Sequence, residues 1–251
     1  MINFQIKHIQ EVNSTNIYLK ELTKQTLADE GTVILADSQT SGKGRGASRW
    51  VSDRSENLTF SILIKPNIKA SCHFSLVEFV SLAIVDMLKL YDTNPRIKWP
   101  NDIYIGNRKI AGILIENVLV ESTISSSIVG IGLNINQEIF PEDIPNPVSM
   151  KQVLNKPVNR DEVLSQLLDL FRNRYDQLKA GSFDLLYNEY CNNIYCLGQK
   201  IVYNKNGKLL EGKLLNISEN GELFIKDTKG ELTGYLFGEI QILPQEEKRG
   251  N

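Results

Sequence analysis

The chain has 251 residues, of which 41% are hydrophobic and 23% are charged, a composition typical of soluble globular proteins large enough for one large domain or a large and a small one. Its 28 Lys and Arg residues against 30 Asp and Glu residues give a formal net charge of −2, which excludes a chain-wide basic surface for nucleic acid. Three cysteines without a CxxC pair and only two histidines argue against a disulfide framework and against a Cys/His zinc site.

The N-terminal sequence MINFQIKHIQEV lacks the apolar core of a signal peptide. We identify no apolar run of membrane-spanning length. Together with unpaired cysteines, these features predict a cytoplasmic protein with neither a membrane nor a nucleic-acid partner.

In chain order, the first predicted elements are a strand over residues 2–9 and a helix capped by Asn13 or Ser14. Two strands follow, over 31–37 and 57–65, because both runs are rich in β-branched and apolar residues. The helix is expected to turn one apolar side to the core, formed by Ile17, Leu19 and Leu22.

The apolar residues in the middle of the chain indicate a buried core. Residues 71–92 are apolar all round and long enough for a buried helix of about six turns. Residues 96–118 predict two strands joined by a hairpin turn at Gly106 and Asn107. Residues 126–136 predict one more strand, and residues 137–148, with three prolines, predict a loop.

Helices are predicted over 160–181, with Gly181 as the C′ residue, and over 182–193. From Leu197 onward, short runs broken by Asn-Gly, Glu-Gly and Lys-Gly turns predict a small all-β unit of about 50 residues. The fold class is therefore α/β (α+β), a mixed sheet backed by helices. We expect one domain over 1–190, a small β-barrel domain over 191–245 and a disordered tail over 246–251.

Residues 39–50, QTSGKGRGASRW, place three glycines and two cations between two core strands. Glycines let backbone N–H groups approach a ligand, while Lys43 and Arg45 supply positive charge, which suits a phosphate or carboxylate. A mobile surface loop with solvated cations is the alternative. The pattern is neither a P-loop nor a GxGxxG that opens a helix.

Three further stretches place polar or flexible residues in core-like surroundings. In KWPND, residues 98–102, Pro100 stiffens the chain before a polar pair, or the pair simply ends a strand. Lys109 lies in an apolar run, where it either snorkels to solvent or serves a buried anion. The glycines of GIGLN, residues 130–134, indicate the close approach of another backbone or of a ligand.

In this order and at these spacings, the motifs resemble those of biotin–protein ligases. The resemblance covers essentially the whole chain and implies a class II synthetase-like catalytic domain followed by an SH3-like β-barrel. It also implies ATP-dependent formation of biotinyl-5′-AMP with Mg²⁺, then transfer of biotin to one lysine of a biotin carboxyl carrier protein domain of a biotin-dependent carboxylase. The matching segments are STN at 14–16, SQTSGKGRGASRW at 38–50, KWPNDIYIGNRKIAGIL at 98–114 and VGIGLNIN at 129–136.

The resemblance implies a role for each matching residue. Lys109 matches the lysine that reaches the reacting carboxylate and phosphate, Arg45 faces the same charge, and Asp102 is our candidate for orienting the incoming amine. The positions that match the biotin pocket are Ser14, Thr15, Asn16, Gln39, Gly42, Lys43, Gly112, Leu114, Gly130 and Gly132. Those that match the ATP or adenylate site are Lys43, Gly44, Arg45, Trp50, Asn101, Lys109 and Asn134. The resemblance leaves the Mg²⁺ ligands unassigned.

The glycine loop is expected to open for ATP and to close over the adenylate, which excludes water. It departs from the arginine-rich loop common in the family. Lys43 replaces the first arginine, and Gly46, Ala47 and Ser48 stand where Arg, Gly and Arg are common. Because lysine lacks the bidentate geometry of arginine, we expect a looser grip on the adenylate.

Two alternatives are a lipoate–protein ligase, which shares the fold and the adenylation chemistry, and a non-catalytic biotin-binding regulator. KWPND and the glycine loop argue against the first, and the retained Lys109, Arg45 and Asp102 argue against the second. Because STN begins at residue 14, we expect no N-terminal helix-turn-helix domain and no repressor role. An exposed sheet edge could pair two protomers into a homodimer.

Overall fold

The computed structural model describes residues 1–46 and 48–244 of the protein. The tail predicted over 246–251 lies outside these described residues. Within them, the chain forms a large mixed sheet, helices on both of its faces and a second sheet near the C-terminus.

The large sheet has eight strands. They are β1 (Gln5–Val12), β2 (Thr32–Gln39), β3 (Leu58–Ile64), β4 (Ile68–Lys69), β5 (Pro95–Lys98), β6 (Asp102–Ile105), β7 (Arg108–Val120) and β8 (Thr123–Leu133). The strand order is β1-β2-β3-β8-β7-β6-β5, with β4 also paired to β8. β1 and β2 run parallel, and the other neighbours run antiparallel.

Helices cover both faces of this sheet, which explains why its central strands read as continuous apolar runs. They are α1 (Thr15–Lys24), α2 (Phe74–Lys89), α3 (Met150–Leu154), α4 (Arg160–Lys179) and α5 (Phe183–Asn192). On one face, Phe79 of α2 meets Phe171 of α4 edge to face, with ring centroids 5.0 Å apart. On the other face, Leu19 of α1 packs against Ile34, Leu63 and Ile128.

The second sheet is formed by β9 (Lys200–Lys205), β10 (Lys208–Ile217), β11 (Leu223–Asp227), β12 (Leu232–Tyr235) and β13 (Gln241–Ile242). Its order is β12-β11-β10-β9-β13, and all its pairs are antiparallel. Its apolar side chains join those of the large sheet in one core. The predicted mixed sheet backed by helices and the small C-terminal β unit are confirmed, whereas the domain boundary near residue 190 stays a prediction.

Several bounds differ from the predicted ones. The helix predicted over 71–92 follows a 3₁₀ turn and occupies Phe74–Lys89, 16 residues, which make about four and a half turns. The first strand occupies Gln5–Val12 and not 2–9, and the strand predicted over 126–136 ends at Leu133. Sequence analysis missed α3, although Ser149 and Gln152 form a capping box at its start.

The two helices predicted over 160–181 and 182–193 are confirmed to within a few residues. The first ends at Lys179, with Ala180 as its C-cap. Gly181 follows at φ +77°, as expected of a C′ residue.

The buried side of α1 is not the one that its apolar residues suggested. Ile17 is half-buried and lies outside the apolar cluster that contains Leu19. Residues two apart on a helix point about 200° apart, so these two side chains cannot share a side. Thr15 and Asn16 are buried instead, so the amino end of this helix turns polar groups towards the sheet. Ser14, one of the two predicted caps, occupies the N-cap position.

The segment predicted as strand, turn, strand over 96–118 contains one more turn. β5 ends at Lys98 and β6 begins at Asp102, with a cis peptide between Trp99 and Pro100 in the turn. The hairpin predicted between β6 and β7 is confirmed.

The expectation of no apolar run of membrane-spanning length is wrong for one segment. Ala70–Lys89 is long and apolar enough to cross a membrane by length and composition. However, 72% of its apolar stretch is buried inside the protein, where it packs against the large sheet, α4 and α5. These are the surroundings of a core helix.

Glu78 of α2 is a carboxyl group in this core. It is 1% exposed, and among the described residues neither carboxyl oxygen has a hydrogen-bond partner. Burial is the main cause that raises the pKa of Glu78 to about 8. The Ser75 side chain lowers this pKa in part, and the negative charge of Glu219 raises it further. The carboxyl group is therefore mostly neutral at neutral pH.

We expect Glu78→Gln to stabilise the protein at high pH. The folded state holds the Glu78 proton more tightly than the unfolded chain does, so stability falls as the pH rises from about 4.5 towards about 8. In urea unfolding, the variant should have a higher midpoint than wild type at about pH 8.5 and a similar midpoint at about pH 5. Glu142→Gln, at an exposed loop position, is the control. The same pH dependence in all three proteins would contradict the prediction.

Candidate active site

A cavity of about 630 Å³ lies between the amino end of α1, the glycine loop, the β6–β8 region and the second sheet. This volume is within the range of small-molecule sites. The cavity collects most of the predicted site residues from four separate segments. Those that line it are Ser14, Thr15, Asn16, Gln39, Lys43, Gly44, Arg45, Trp50, Asn101, Asp102, Lys109, Gly112, Leu114, Gly130 and Gly132.

Two predicted residues do not line the cavity. The carbonyl of Gly42 accepts a hydrogen bond from the Trp50 N–H at 3.0 Å, so Gly42 closes the glycine loop. Asn134 is 4% exposed, and its amide donates to the Val148 carbonyl at 3.0 Å. Asn134 therefore anchors the end of the proline-rich loop beneath the site.

The first turn of α1 carries a polar network at one end of the cavity. Gln39 Oε1 accepts hydrogen bonds from the Thr15 backbone N–H at 2.7 Å and from the Thr15 hydroxyl at 3.1 Å. The Ser61 hydroxyl donates to Asn16 Oδ1 at 2.6 Å, and Asn16 Nδ2 donates to Glu116 Oε2 at 2.9 Å. Since each side chain fixes the next, the donors and acceptors are held in place before any ligand arrives.

Sequence analysis missed Thr59, which lines the cavity, and Ser61 and Glu116, which belong to the polar network. β3 is buried along its whole length, and Thr59 and Ser61 are its two polar residues. Their spacing of two puts them on one face of the strand, which is the signal that could have found them. Glu116 gives no such signal, because an acidic residue near the end of a long strand is ordinary.

Gly130 and Gly132 of β8 make room for side chains of the site itself. A Cβ at Gly130 would lie 2.2 Å from Asn16 Oδ1, and a Cβ at Gly132 would lie 2.2 Å from Trp50 Cε2. The close approach predicted at these glycines is thus made by two side chains and not by a backbone. The Nε1 of Trp50 is buried without a partner among the described residues, so this donor is available inside the site.

In the glycine loop, the described residues before and after Ala47 pair with each other beside the cavity. The Gly44 N–H donates to the Ser48 carbonyl at 2.9 Å, and Lys43 and Arg49 form an isolated antiparallel bridge. Arg49 also forms an ion pair with Asp143 at 2.6 Å. Ala47, one of the departures from the family pattern, lies outside the described residues.

Among the described residues, four cations and one carboxylate line the cavity. Lys109 Nζ lies 2.6 Å from Asp102 Oδ1, with side chains 29% and 26% exposed, so the lysine turns into the site and does not snorkel to open solvent. Burial lowers the pKa of Arg45, and the charge of Asp102 partly offsets this, but a guanidinium remains protonated at physiological pH. The excess of positive charge favours an anionic ligand. The other two cations are Lys43 and Arg49.

Asn101 is held by β7. Its side-chain amide donates to the Ile113 carbonyl, and the Ile113 N–H donates to the Asn101 carbonyl at 3.0 Å. The two polar residues of KWPND therefore have different contacts. Asn101 fixes the turn, and Asp102 faces Lys109.

Lys98 is a buried cation behind the cavity that sequence analysis did not select. It is 8% exposed, and its ammonium group donates to the Tyr104 hydroxyl at 3.0 Å. Burial lowers the pKa of Lys98, while the charge of Asp102 opposes that shift.

The second sheet supplies one wall of the cavity, which sequence analysis also missed. Trp99 Nε1 donates to the Gly221 carbonyl at 2.9 Å, which fastens this sheet beside the site. The contact is not visible in the sequence, because it depends on how two sheets dock. The lining residues from this part are Phe237, Gly238, Ile240 and Gln241.

The site therefore combines a fixed polar network at one end with a cation cluster near the glycine loop. Residues 9–134 match the family model described as "Biotin/lipoate A/B protein ligase family". The chain belongs to this family. The matched span contains every sequence-predicted site residue and ends at Asn134.

Similar proteins extend this relationship over the rest of the chain. The bifunctional ligase/repressor BirA of Bacillus spizizenii is 30% identical over 226 residues, which cover 87% of this chain and 68% of that protein. The biotin–[acetyl-CoA-carboxylase] ligase of Paracoccus denitrificans is 27% identical over 205 residues, with 78% and 85% covered. The biotin protein ligase of Aquifex aeolicus, solved with biotin and ATP, has a TM-score of 0.79 at 29% identity, with 96% and 99% covered.

We expect Gly132→Ala to displace the Trp50 indole. The added Cβ would lie 2.2 Å from the ring, much closer than van der Waals contact, and a loop side chain can move more easily than a central strand. Tryptophan emission should shift to the red, and iodide should quench it more strongly than in wild type. Ser126→Ala, at the opposite end of the same strand, is the control. Unchanged emission and quenching in a folded Gly132→Ala variant would show that the indole does not rest on Gly132.

Proposed function

We propose that this chain is an ATP-dependent biotin–protein ligase that transfers biotin to a lysine of a biotin carboxyl carrier protein domain. Its class as a biotin ligase enzyme follows from family membership and from the whole-chain likeness to the Aquifex aeolicus enzyme. The observation that carries the assignment to this cavity is the combination of the α1 polar network with the cation cluster.

The polar network suits the ring end of biotin. The ureido group of biotin has one carbonyl acceptor and two N–H donors, and it needs complementary groups when it is buried. Thr15, Asn16 and Gln39 offer hydroxyl and amide groups there, held by the hydrogen bonds among them and Ser61. Gly112 and Leu114 continue the wall towards Lys109.

The cation cluster suits the activation step. An oxygen of the biotin carboxylate attacks the α-phosphorus of ATP, the bond from that phosphorus to the bridging oxygen breaks, and pyrophosphate leaves with its electrons. Lys109 and Arg45 would face the charge on the reacting groups, and positive groups already in place stabilise such a transition state.

Lys109 and Asp102 act as a pair in this proposal. Lys109 exchanges Asp102, at 2.6 Å, for the carboxylate and phosphate of the reacting substrates. Asp102 is then available to orient the acceptor amine. The neutral amine attacks the acyl carbon, the bond between that carbon and the phosphate oxygen breaks, and AMP leaves. The amine gives up one proton, for which Asp102 is the carboxylate lining the cavity.

Magnesium enters this scheme with the nucleotide. The described residues contain no group of three or more His, Cys, Asp or Glu side chains that could hold a metal ion. Mg²⁺ on nucleotide phosphates keeps several waters and needs few protein ligands, so we treat MgATP as the substrate.

Pyrophosphate release from MgATP tests this function, measured with biotin, with lipoate and with neither acid. Biotin-dependent release, followed by biotinylation of a carrier domain, is the expected result. Lipoate-dependent release would show that the site activates lipoate and not biotin. Release with neither acid, or no release, would refute the proposal.

Lys109→Ala should slow biotin-dependent pyrophosphate release by roughly 100- to 1,000-fold, the effect of losing one preorganised charge. Arg108→Ala is the matched control, because it removes a cation from the neighbouring, exposed position on β7, outside the cavity lining. Melting temperatures should be compared for both variants. Near-normal release by a folded Lys109→Ala variant would refute the role given to this lysine.

A further inference from the structure

Phe237 lies where three parts of the protein meet. It follows β12, and its ring centroid is 5.6 Å from that of Phe74 at the start of α2 and 5.2 Å from that of Trp99 in the turn before β6. The guanidinium carbon of Arg45 lies 4.4 Å from the centroid of the same ring. A residue of the second sheet thus contacts the principal arginine of the glycine loop.

The contact between Arg45 and the Phe237 ring involves no hydrogen bond, so the N–H groups of Arg45 stay available to a ligand. A guanidinium that stacks on an aromatic ring uses its flat face, while its N–H groups point outward in the plane. The Arg45 guanidinium has no hydrogen bond or ion pair with any residue of 1–46 or 48–244 in the structure. Among the described residues, the Phe237 ring and Asp102 act on the charge of Arg45.

The ring itself is fixed. The Leu236 N–H donates to Glu239 Oε2 at 2.8 Å, and the Glu239 N–H donates to the Leu236 carbonyl at 3.2 Å. The turn that carries Phe237 is therefore closed on itself, and Trp99 packs against the ring from the large-sheet side. A fixed ring restricts the rotamers of Arg45, whose freedom would otherwise be lost on binding a ligand.

We propose that Phe237 is a positioning residue, through which the second sheet holds Arg45 and the glycine loop over the ligand. Combined with the proposed function, the ligand retained is the acyl-adenylate, whose phosphate takes the free N–H edge of Arg45. The contact between Phe237 and Arg45 offsets in part the weaker binding of the adenylate expected from Lys43, because it orients Arg45 for the phosphate.

Retention of the adenylate tests the proposal. Enzyme loaded with biotin and MgATP is desalted, and the loss of bound adenylate is followed over time. Phe237→Ala should lose it about tenfold faster than wild type, the size expected for a desolvated cation–π contact. Phe237→Tyr, which keeps the ring, should behave like wild type. Leu236→Ala, next in the chain, 59% exposed and outside the cavity lining, is the control.

A double-mutant cycle separates positioning from simple packing. If Phe237 acts through Arg45, the double variant Arg45→Ala, Phe237→Ala should lose adenylate no faster than Arg45→Ala alone. Arg45→Lys, which keeps the charge but lacks a planar group, should resemble Phe237→Ala. Additive losses, or a lower melting temperature with unchanged retention, would mean that Phe237 only packs the two sheets together.

A second readout does not depend on catalysis. In the unliganded protein, trypsin should cut after Arg45 roughly tenfold faster in Phe237→Ala than in wild type or Leu236→Ala, because local opening exposes the bond. Faster cutting in a protein that makes no adenylate would support positioning while refuting the proposed function. Unchanged cutting and unchanged adenylate retention in an active protein would overturn the proposal and leave the proposed function intact.

Discussion

The site depends on the missing side chains at Gly130 and Gly132 of β8. Elsewhere this strand is ordinary core, with Ile128 packed under α1 and Ile131 on the opposite face. At the two glycines the sheet surface is bare, and Asn16 and Trp50 approach to distances that a Cβ would forbid. The helix and the glycine loop can thus both reach the same strand, and the space between them becomes the cavity.

The charges that line this cavity favour an anionic ligand. Lys43, Arg45 and Lys109 line the cavity with one described carboxylate, Asp102, whereas Arg49 is paired with Asp143. The buried Lys98 adds positive charge from behind. Placing like charges near one another is unfavourable, above all for the half-buried Arg45 and Lys109. An anion placed among them relieves that repulsion, so the same arrangement that costs stability in the free protein increases the affinity for carboxylate and phosphate.

The sequence predicted what is encoded locally. β-branched runs, Gly turns and a C′ glycine located most strands and helices, and most of the site residues predicted from the motifs line the cavity. Prediction from the sequence failed where the position of a side chain depends on how helices and strands pack against each other. The prediction that Ile17 and Leu19 share the buried side of α1 is wrong, because two residues apart on a helix their side chains point in nearly opposite directions. Ser61 was overlooked within an apolar strand, and Phe237 carries no local pattern that links it to Arg45.

The order of the cavity walls along the chain has a consequence for synthesis. Among the described residues, the first lining residue is Ser14 and the last is Gln241, so the wall formed by the second sheet is translated after all the other walls. Domains fold as they emerge from the ribosome, and the large sheet can therefore form while its cavity is still open on one side. A nascent chain of this protein can close its binding site only after Gln241 has left the ribosome.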